Sequence, residues 1–197
     1  MVSTTIDFDL LLYNQMTIVK GSTTMLFIKG GSGSTYYGCN NKYLDIARTI
    51  NQKYGLTVAV SSNKLFSVID LKEELQSVFN ALNTHHQVLF AGVSSGAVAA
   101  IEQSPDIYDL QKILLINPPI TISLPKIKRS LEAKKGACFN FVFGSNDPTY
   151  RFLPLLDNVK SQSTINFKIV EGADHNFKGM EKEFKGLFIN FVENNLI

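Results

Sequence analysis

Cysteine is scarce in this chain: Cys39 and Cys138 are the only two among 197 residues. Thiols so few and so far apart build no disulfide framework, and their scarcity points to a reducing, cytoplasmic compartment. Histidine is nearly as rare, with three residues, and no cluster of His, Cys and carboxylates shows metal-ligand spacing. No metal is implied. No apolar run approaches the roughly 18 residues needed to cross a bilayer. Met1 leads into Val2-Ser3-Thr4-Thr5-Ile6-Asp7 without the basic stretch and apolar core of a signal peptide. A charge excess is missing as well: a net +2 gives neither nucleic acid nor a membrane surface a reason to bind. With 45% hydrophobic and 18% charged residues the composition excludes a disordered chain. The length suits one domain over residues 1–197 with a large core.

What is present is an alternation of short apolar runs with longer helical patterns. Met25–Lys29, Leu56–Val60, Val88–Ala91, Ile113–Asn117, Phe139–Phe143 and Phe167–Val170 read as strands. Several are unbroken Val, Ile, Leu and Phe, the composition of strands covered on both faces. Asp70 with Glu73 suggests a capping box ahead of the stripe Leu71, Leu75, Val78 and Leu82. Tyr43, Ala47, Ile50 and Tyr54 form a second stripe, and Met180, Phe184, Leu187, Phe188 and Phe191 a third. The expected fold is α/β: a doubly wound, mostly parallel sheet with helices on both faces. Thr5–Lys20 would add one or two antiparallel strands at its edge. The lysine-rich stretch Pro125–Lys135 reads as the solvated face of a helix.

In such a sheet reactive groups gather beyond the carboxyl ends of the strands. Gly92-Val93-Ser94-Ser95-Gly96 stands between the run Val88–Ala91 and the helical Ala97-Val98-Ala99-Ala100. Strand, tight turn and helix in that order are the context of a nucleophile elbow, where a Cβ at either glycine would crowd the turn. Asp147 follows the next-but-one strand and His175 the one after it. A serine hydroxyl needs a base to take its proton during attack, and a neutral imidazole suits that task near pH 7. A carboxylate fixes the imidazole tautomer and stabilises the imidazolium. Backbone donors for the developing oxyanion have a source in Lys29-Gly30-Gly31-Ser32-Gly33-Ser34, through the N–H of Gly31, and in the N–H of Ser95. The same loop lacks the Gly-Lys-Ser/Thr ending of a P-loop and the G-x-G-x-x-G spacing of a dinucleotide site.

The elbow, the turn Gly144–Asp147, the stretch Gly172-Ala173-Asp174-His175-Asn176-Phe177 and Asn117-Pro118-Pro119 together resemble the α/β-hydrolase fold family, over nearly the whole chain. The resemblance implies Ser94 as nucleophile, Asp147 as acid, His175 as base, and the N–H groups of Gly31 and Ser95 as oxyanion hole. It implies an esterase or thioesterase acting on a small-molecule acyl substrate, without a cofactor. Two departures stand out. Lys29-Gly30 occupies the place where many esterases have His-Gly, and only about twenty residues follow Pro118 before the next strand, so any cap is minimal.

Rival readings attach to each position. Ser95 is an alternative nucleophile, although it lacks the flanking glycines. Asp147 before Pro148-Thr149 could serve as a helix cap alone. Asp174 and Glu171 are alternative acids, and Asp157 reads as a surface residue. His85 and His86 end a helix, where the dipole accounts for them; Cys39 reads as an inert small residue. The scaffold could also be a binding module without turnover, or an acyltransferase using the same three residues.

Overall fold

The computed structural model of the protein describes residues 5–10, 14–35, 41–63, 69–85 and 87–196, with side chains from Gln15 onward. Cys39 and His86 lie outside the described residues. Eight strands form one sheet: β1 (Thr5–Leu10), β2 (Asn14–Val19), β3 (Thr24–Lys29), β4 (Thr57–Ser61), β5 (Gln87–Val93), β6 (Lys112–Ile116), β7 (Lys135–Gly144) and β8 (Gln162–Val170). Their spatial order is β1-β2-β4-β3-β5-β6-β7-β8. From β4 through β8 every neighbouring pair is parallel, whereas β2 is antiparallel to both β1 and β4. The antiparallel edge expected of Thr5–Lys20 is therefore a hairpin-like pair of strands.

Among the described residues, five α-helices cover the sheet: α1 (Lys42–Tyr54), α2 (Leu71–Leu82), α3 (Ser95–Gln103), α4 (Leu124–Ala133) and α5 (Glu181–Glu193). Alternation of side chains along each strand divides the core in two. Met25, Phe27, Phe90, Ile113, Leu115 and Phe139 face α2, α3 and α4. Leu26, Ile28, Leu89, Ala91, Leu114 and Ile116 face α1 and α5. The central strands are buried on both sides, which is why their sequences are apolar without a break. β8 differs. Most of its residues are exposed or half-exposed, and Phe167 and Ile169 reach solvent, because only β7 pairs with it.

Local signals acted as their chemistry requires. The Asp70 carboxylate caps α2 by accepting from the Glu73 N–H at 3.0 Å. The connection from β6 to β7 holds a single 3-10 turn, Ile120–Ile122, and α4, which rests on α3 through Lys126 and Glu102 at 2.8 Å. The basic stretch needs a correction. Lys126, Arg129 and Lys135 are exposed, but Lys134 is buried, its ammonium donating to the Ile107 carbonyl at 2.8 Å. The chain leaves α4 at Lys134 in an extended conformation, and the buried ammonium has the Ile107 carbonyl as a partner.

Candidate active site

The strand tips of β3, β5, β6, β7 and β8 meet at one end of the sheet, and the site is built from the turns that leave them. Ser94 follows β5 and precedes α3 with φ 53° and ψ −121°, a backbone conformation that L-residues avoid. Its N–H donates to the Ile116 carbonyl at 2.8 Å, and its own carbonyl accepts from Ala97 and Val98. Glycines flank it for reasons of space. A Cβ on Gly92 would lie 2.6 Å from Cα of Ala97, and one on Gly96 would lie 2.5 Å from the Lys29 carbonyl oxygen. The crowding anticipated at both glycines is real. At Gly96, though, the neighbour is the end of β3 rather than of β5.

His175 lies in the loop after β8. Its Nε2 is 3.0 Å from Ser94 Oγ and its Nδ1 is 2.6 Å from Asp147 Oδ2. With Nδ1–H donating to the carboxylate, Nε2 presents a lone pair to the serine hydroxyl. The carboxylate does two things at once. Oδ1 of Asp147 accepts from the Thr149 N–H at 2.7 Å and caps the 3-10 helix Pro148–Leu156, leaving Oδ2 for the imidazole. Burial opposes ionisation of Asp147, but the hydrogen bonds from His175 and Thr149 outweigh it and hold the carboxyl below its ordinary value. The hydrogen bond to Asp147 raises the His175 imidazole above its ordinary value, against its partial burial and the nearby Lys42 cation.

The rival residues are engaged elsewhere. Ser95 Oγ accepts from Asn63 Nδ2 at 2.8 Å and sits 2.9 Å from Ser32 Oγ. Asp174 accepts from the N–H groups of Asn176 and Lys178 at 2.9 and 3.0 Å. Glu171 accepts from Ser145 Oγ at 3.1 Å, Asp157 is an exposed residue just past the 3-10 helix, and His85 stacks on Phe79 with Asp109 3.5 Å away. Gly31 borders Ser94: a Cβ there would come within 3.0 Å of the serine Cβ. Ser95 opens α3, so its N–H has no intrahelical partner. Gly31 and Ser94 stand against a cavity of about 450 Å³ whose walls also include Ser34, Tyr43, His175 and Asn176.

Several positioning groups escaped the sequence reading. Asn117, fully buried, accepts from the Gly144 N–H at 2.9 Å and donates to the carbonyls of Asp174 and His175 at 3.2 and 3.0 Å. One amide thus ties the turn bearing Asp147 to the loop bearing His175. Asn63, past the end of β4, holds the glycine-rich loop: its Nδ2 also reaches the Gly30 carbonyl at 3.3 Å, and its carbonyl accepts from the Gly33 N–H at 2.6 Å. Lys29 is fully buried beneath that loop, its ammonium 2.6 Å from Glu74 Oε1, 3.0 Å from Ser61 Oγ and 2.5 Å from the Ser62 carbonyl. Burial lowers its ordinary pKa while Glu74 opposes the shift. Tyr43 is buried against Gly30 and Gly31. Burial pushes its phenol well above the ordinary value, and the Gly31 backbone pulls the other way. The signal for Asn117 and Asn63 was positional: each is a polar residue just beyond an apolar strand, at the end where the site forms.

Comparison with solved structures matches the fold from end to end. An α/β serine hydrolase homologue from Coxiella burnetii superposes with TM-score 0.70, covering 100% of this chain and 99% of that one at 17% identity. The chain has the α/β-hydrolase fold. A dienelactone hydrolase from Anabaena variabilis shares the fold at TM-score 0.71, 16% identity and 98% and 97% coverage. So does an α/β serine hydrolase without a lid from Xanthomonas campestris, at TM-score 0.64, 15% identity and 98% and 94% coverage. No protein-family model and no curated relative matches the sequence. Among the described residues of this α/β-hydrolase fold, no helix is long and apolar enough to cross a membrane.

Proposed function

We propose that this protein is a serine hydrolase that cleaves a small ester or thioester through an acyl-enzyme. The reading rests on one observation above all: Ser94 Oγ, the His175 ring and the Asp147 carboxylate form a continuous chain of contacts at 3.0 and 2.6 Å against an open cavity. Ser94 attacks the acyl carbonyl while His175 Nε2 takes the hydroxyl proton and then delivers it to the leaving oxygen or sulfur. Asp147 keeps Nδ1 protonated and stabilises the imidazolium. The N–H groups of Gly31 and Ser95 receive the oxyanion, a donor of this kind contributing about 3 kcal/mol to the barrier reduction. Water then attacks the acyl-enzyme by the reverse proton path. The chemistry uses side chains and backbone alone and needs no cofactor.

A cavity of about 450 Å³, with only a 3-10 turn and α4 between β6 and β7, suits a compact or flexible acyl group better than a long lipid. On this reading the protein is a single domain over residues 1–197 with a minimal cap, and it acts in the cytoplasm on a small-molecule substrate. Two lines of support come from outside the geometry: relatives in fold include proteins described as a ferulic acid esterase and a fluorophosphonate-binding serine hydrolase. The test is labelling with a fluorophosphonate probe. Labelling of the wild-type chain that disappears in Ser94→Ala supports the enzyme. A folded protein that takes no label and turns over no short-chain ester would be a binding module instead.

A further inference from the structure

The two edges of the sheet are guarded differently. β1 is six residues long, and Asp7 and Asp9 belong to it. β8 is nine residues long, holds no proline, and has Lys168 as its one charged residue. Short length, charge and proline are what keep a sheet edge from pairing with other chains. β8 has little of that protection, and Phe167 and Ile169 lie exposed along it. One bond shows which way its backbone points. The Val170 carbonyl accepts from the Ser145 N–H at 3.0 Å, so the polar groups of Val170 turn toward β7. Directions alternate along a strand, and those of Ile165, Phe167 and Ile169 therefore turn outward, where β8 has no neighbour. Ser163 also turns outward, but its N–H already donates to Ser161 Oγ at 3.0 Å. Ile165, Phe167 and Ile169 share a face with their β7 counterparts Phe139, Phe141 and Phe143. Asn166 and Lys168 project from the opposite face, beside α5.

From this arrangement we propose that β8 pairs with β8 of a second copy of this chain, antiparallel, about a two-fold axis at Phe167. In that register Phe167 faces its own copy and Ile165 faces the partner's Ile169. Each facing pair exchanges both of its backbone bonds. The three outward residues are all satisfied, and Ser163 keeps its bond to Ser161. On the other face Lys168 stands opposite the partner's Asn166. The amide nitrogen of Asn166 donates to Asn140 Oδ1 at 3.0 Å, which leaves its oxygen to accept from the partner's Lys168. Neighbouring registers fail on the same grounds. An axis at Lys168 sets that cation against its own copy. An axis at Asn166 sets Ile169 against the partner's Ser163, whose N–H is already taken. The pairing is independent of the hydrolase reading, because β8 takes no part in the cavity beside Ser94.

Sedimentation velocity on the full-length protein, run over a range of concentrations, tests the interface. A dimer with twice the 21.9 kDa mass of the chain is expected. Phe167→Lys should return it to a monomer with an unchanged circular dichroism spectrum. Phe167→Pro is the second variant: it deletes only an outward N–H, so the ladder to β7 survives while the dimer is lost. Asn166 reports the register. Asn166→Asp should tighten the dimer about threefold at low salt by meeting the partner's Lys168, and Asn166→Lys should loosen it by a similar factor. A wild-type monomer at every concentration overturns the proposal, and so does a dimer that survives both substitutions at Phe167. A dimer loosened by Asn166→Asp puts the axis elsewhere and overturns the register. Open-ended growth into larger species means pairing between unlike edges, which overturns the two-fold arrangement.

Discussion

Ser94 occupies a backbone conformation that costs an L-residue about 1–3 kcal/mol. Glycine escapes that strain but brings about 0.5–1 kcal/mol of extra chain entropy to lose on folding. The larger number wins. Ser94→Gly should therefore raise the midpoint of urea unfolding while removing fluorophosphonate labelling, and a lowered midpoint would show that the turn is unstrained. His175 illustrates how two partners set one protonation state. In the proposed reaction its imidazole must be neutral to act as base, and the hydrogen bond to Asp147 raises its pKa above the ordinary 6.5. The acid limb of kcat/KM should accordingly have its midpoint above pH 6.5. In Asp147→Asn the largest upward pull is gone, so the limb should shift to lower pH while the rate falls by about four orders of magnitude. Stability follows the same sign: the charged pair contributes most below the unfolded imidazole's pKa and fades as pH rises through the raised native value. The carboxylate's own contribution is lost only as pH falls through its depressed value.

The turns that end β6 and β7 matter more than their sequences announce. Asn117 stands at φ 46° and bonds three backbone groups belonging to two other turns. Replacement by alanine leaves the Gly144 N–H without its acceptor, and a buried orphan of this kind costs about 1–3 kcal/mol. Asn117→Ala should lower thermal stability and reduce kcat more than it raises KM, since it releases the Asp147 turn and the His175 loop from each other. Unchanged kcat in a folded Asn117→Ala protein would mean that Phe177, buried and packed 5.3 Å from Phe184, anchors the loop by itself.

Across the whole molecule the least expected feature is a lysine inside the core. Alternation along β3 puts Lys29 on the face of Met25 and Phe27, beneath α2 and α3, where Glu74 meets it. Removing one member of a buried ion pair leaves the other charge uncompensated, at a cost of about 3–5 kcal/mol. Lys29→Met should therefore lose stability on that scale by denaturant unfolding, and Glu74→Leu added to it should restore much of the loss. A Lys29→Met protein as stable as the wild type would show that loss of the lysine does not leave a costly buried charge at Glu74.

The fold was legible because each central strand is covered on both faces, so its whole length is apolar, and because glycines crowd at the elbow where strand and helix must touch. The tight turn at Ser94 could be read from that context alone. The order Ser94, Asp147, His175 followed from what stands after β5, β7 and β8. Sequence spacing says nothing about which oxygen of Asp147 caps a helix and which meets an imidazole, since both readings suit an Asp before a proline. Nor could it show that Asn63 and Asn117 lace the loops together, or that Lys134 turns inward. Periodicity is local and survives in the sequence; convergence of residues scores of positions apart exists only once the sheet has brought its strand tips to a common edge.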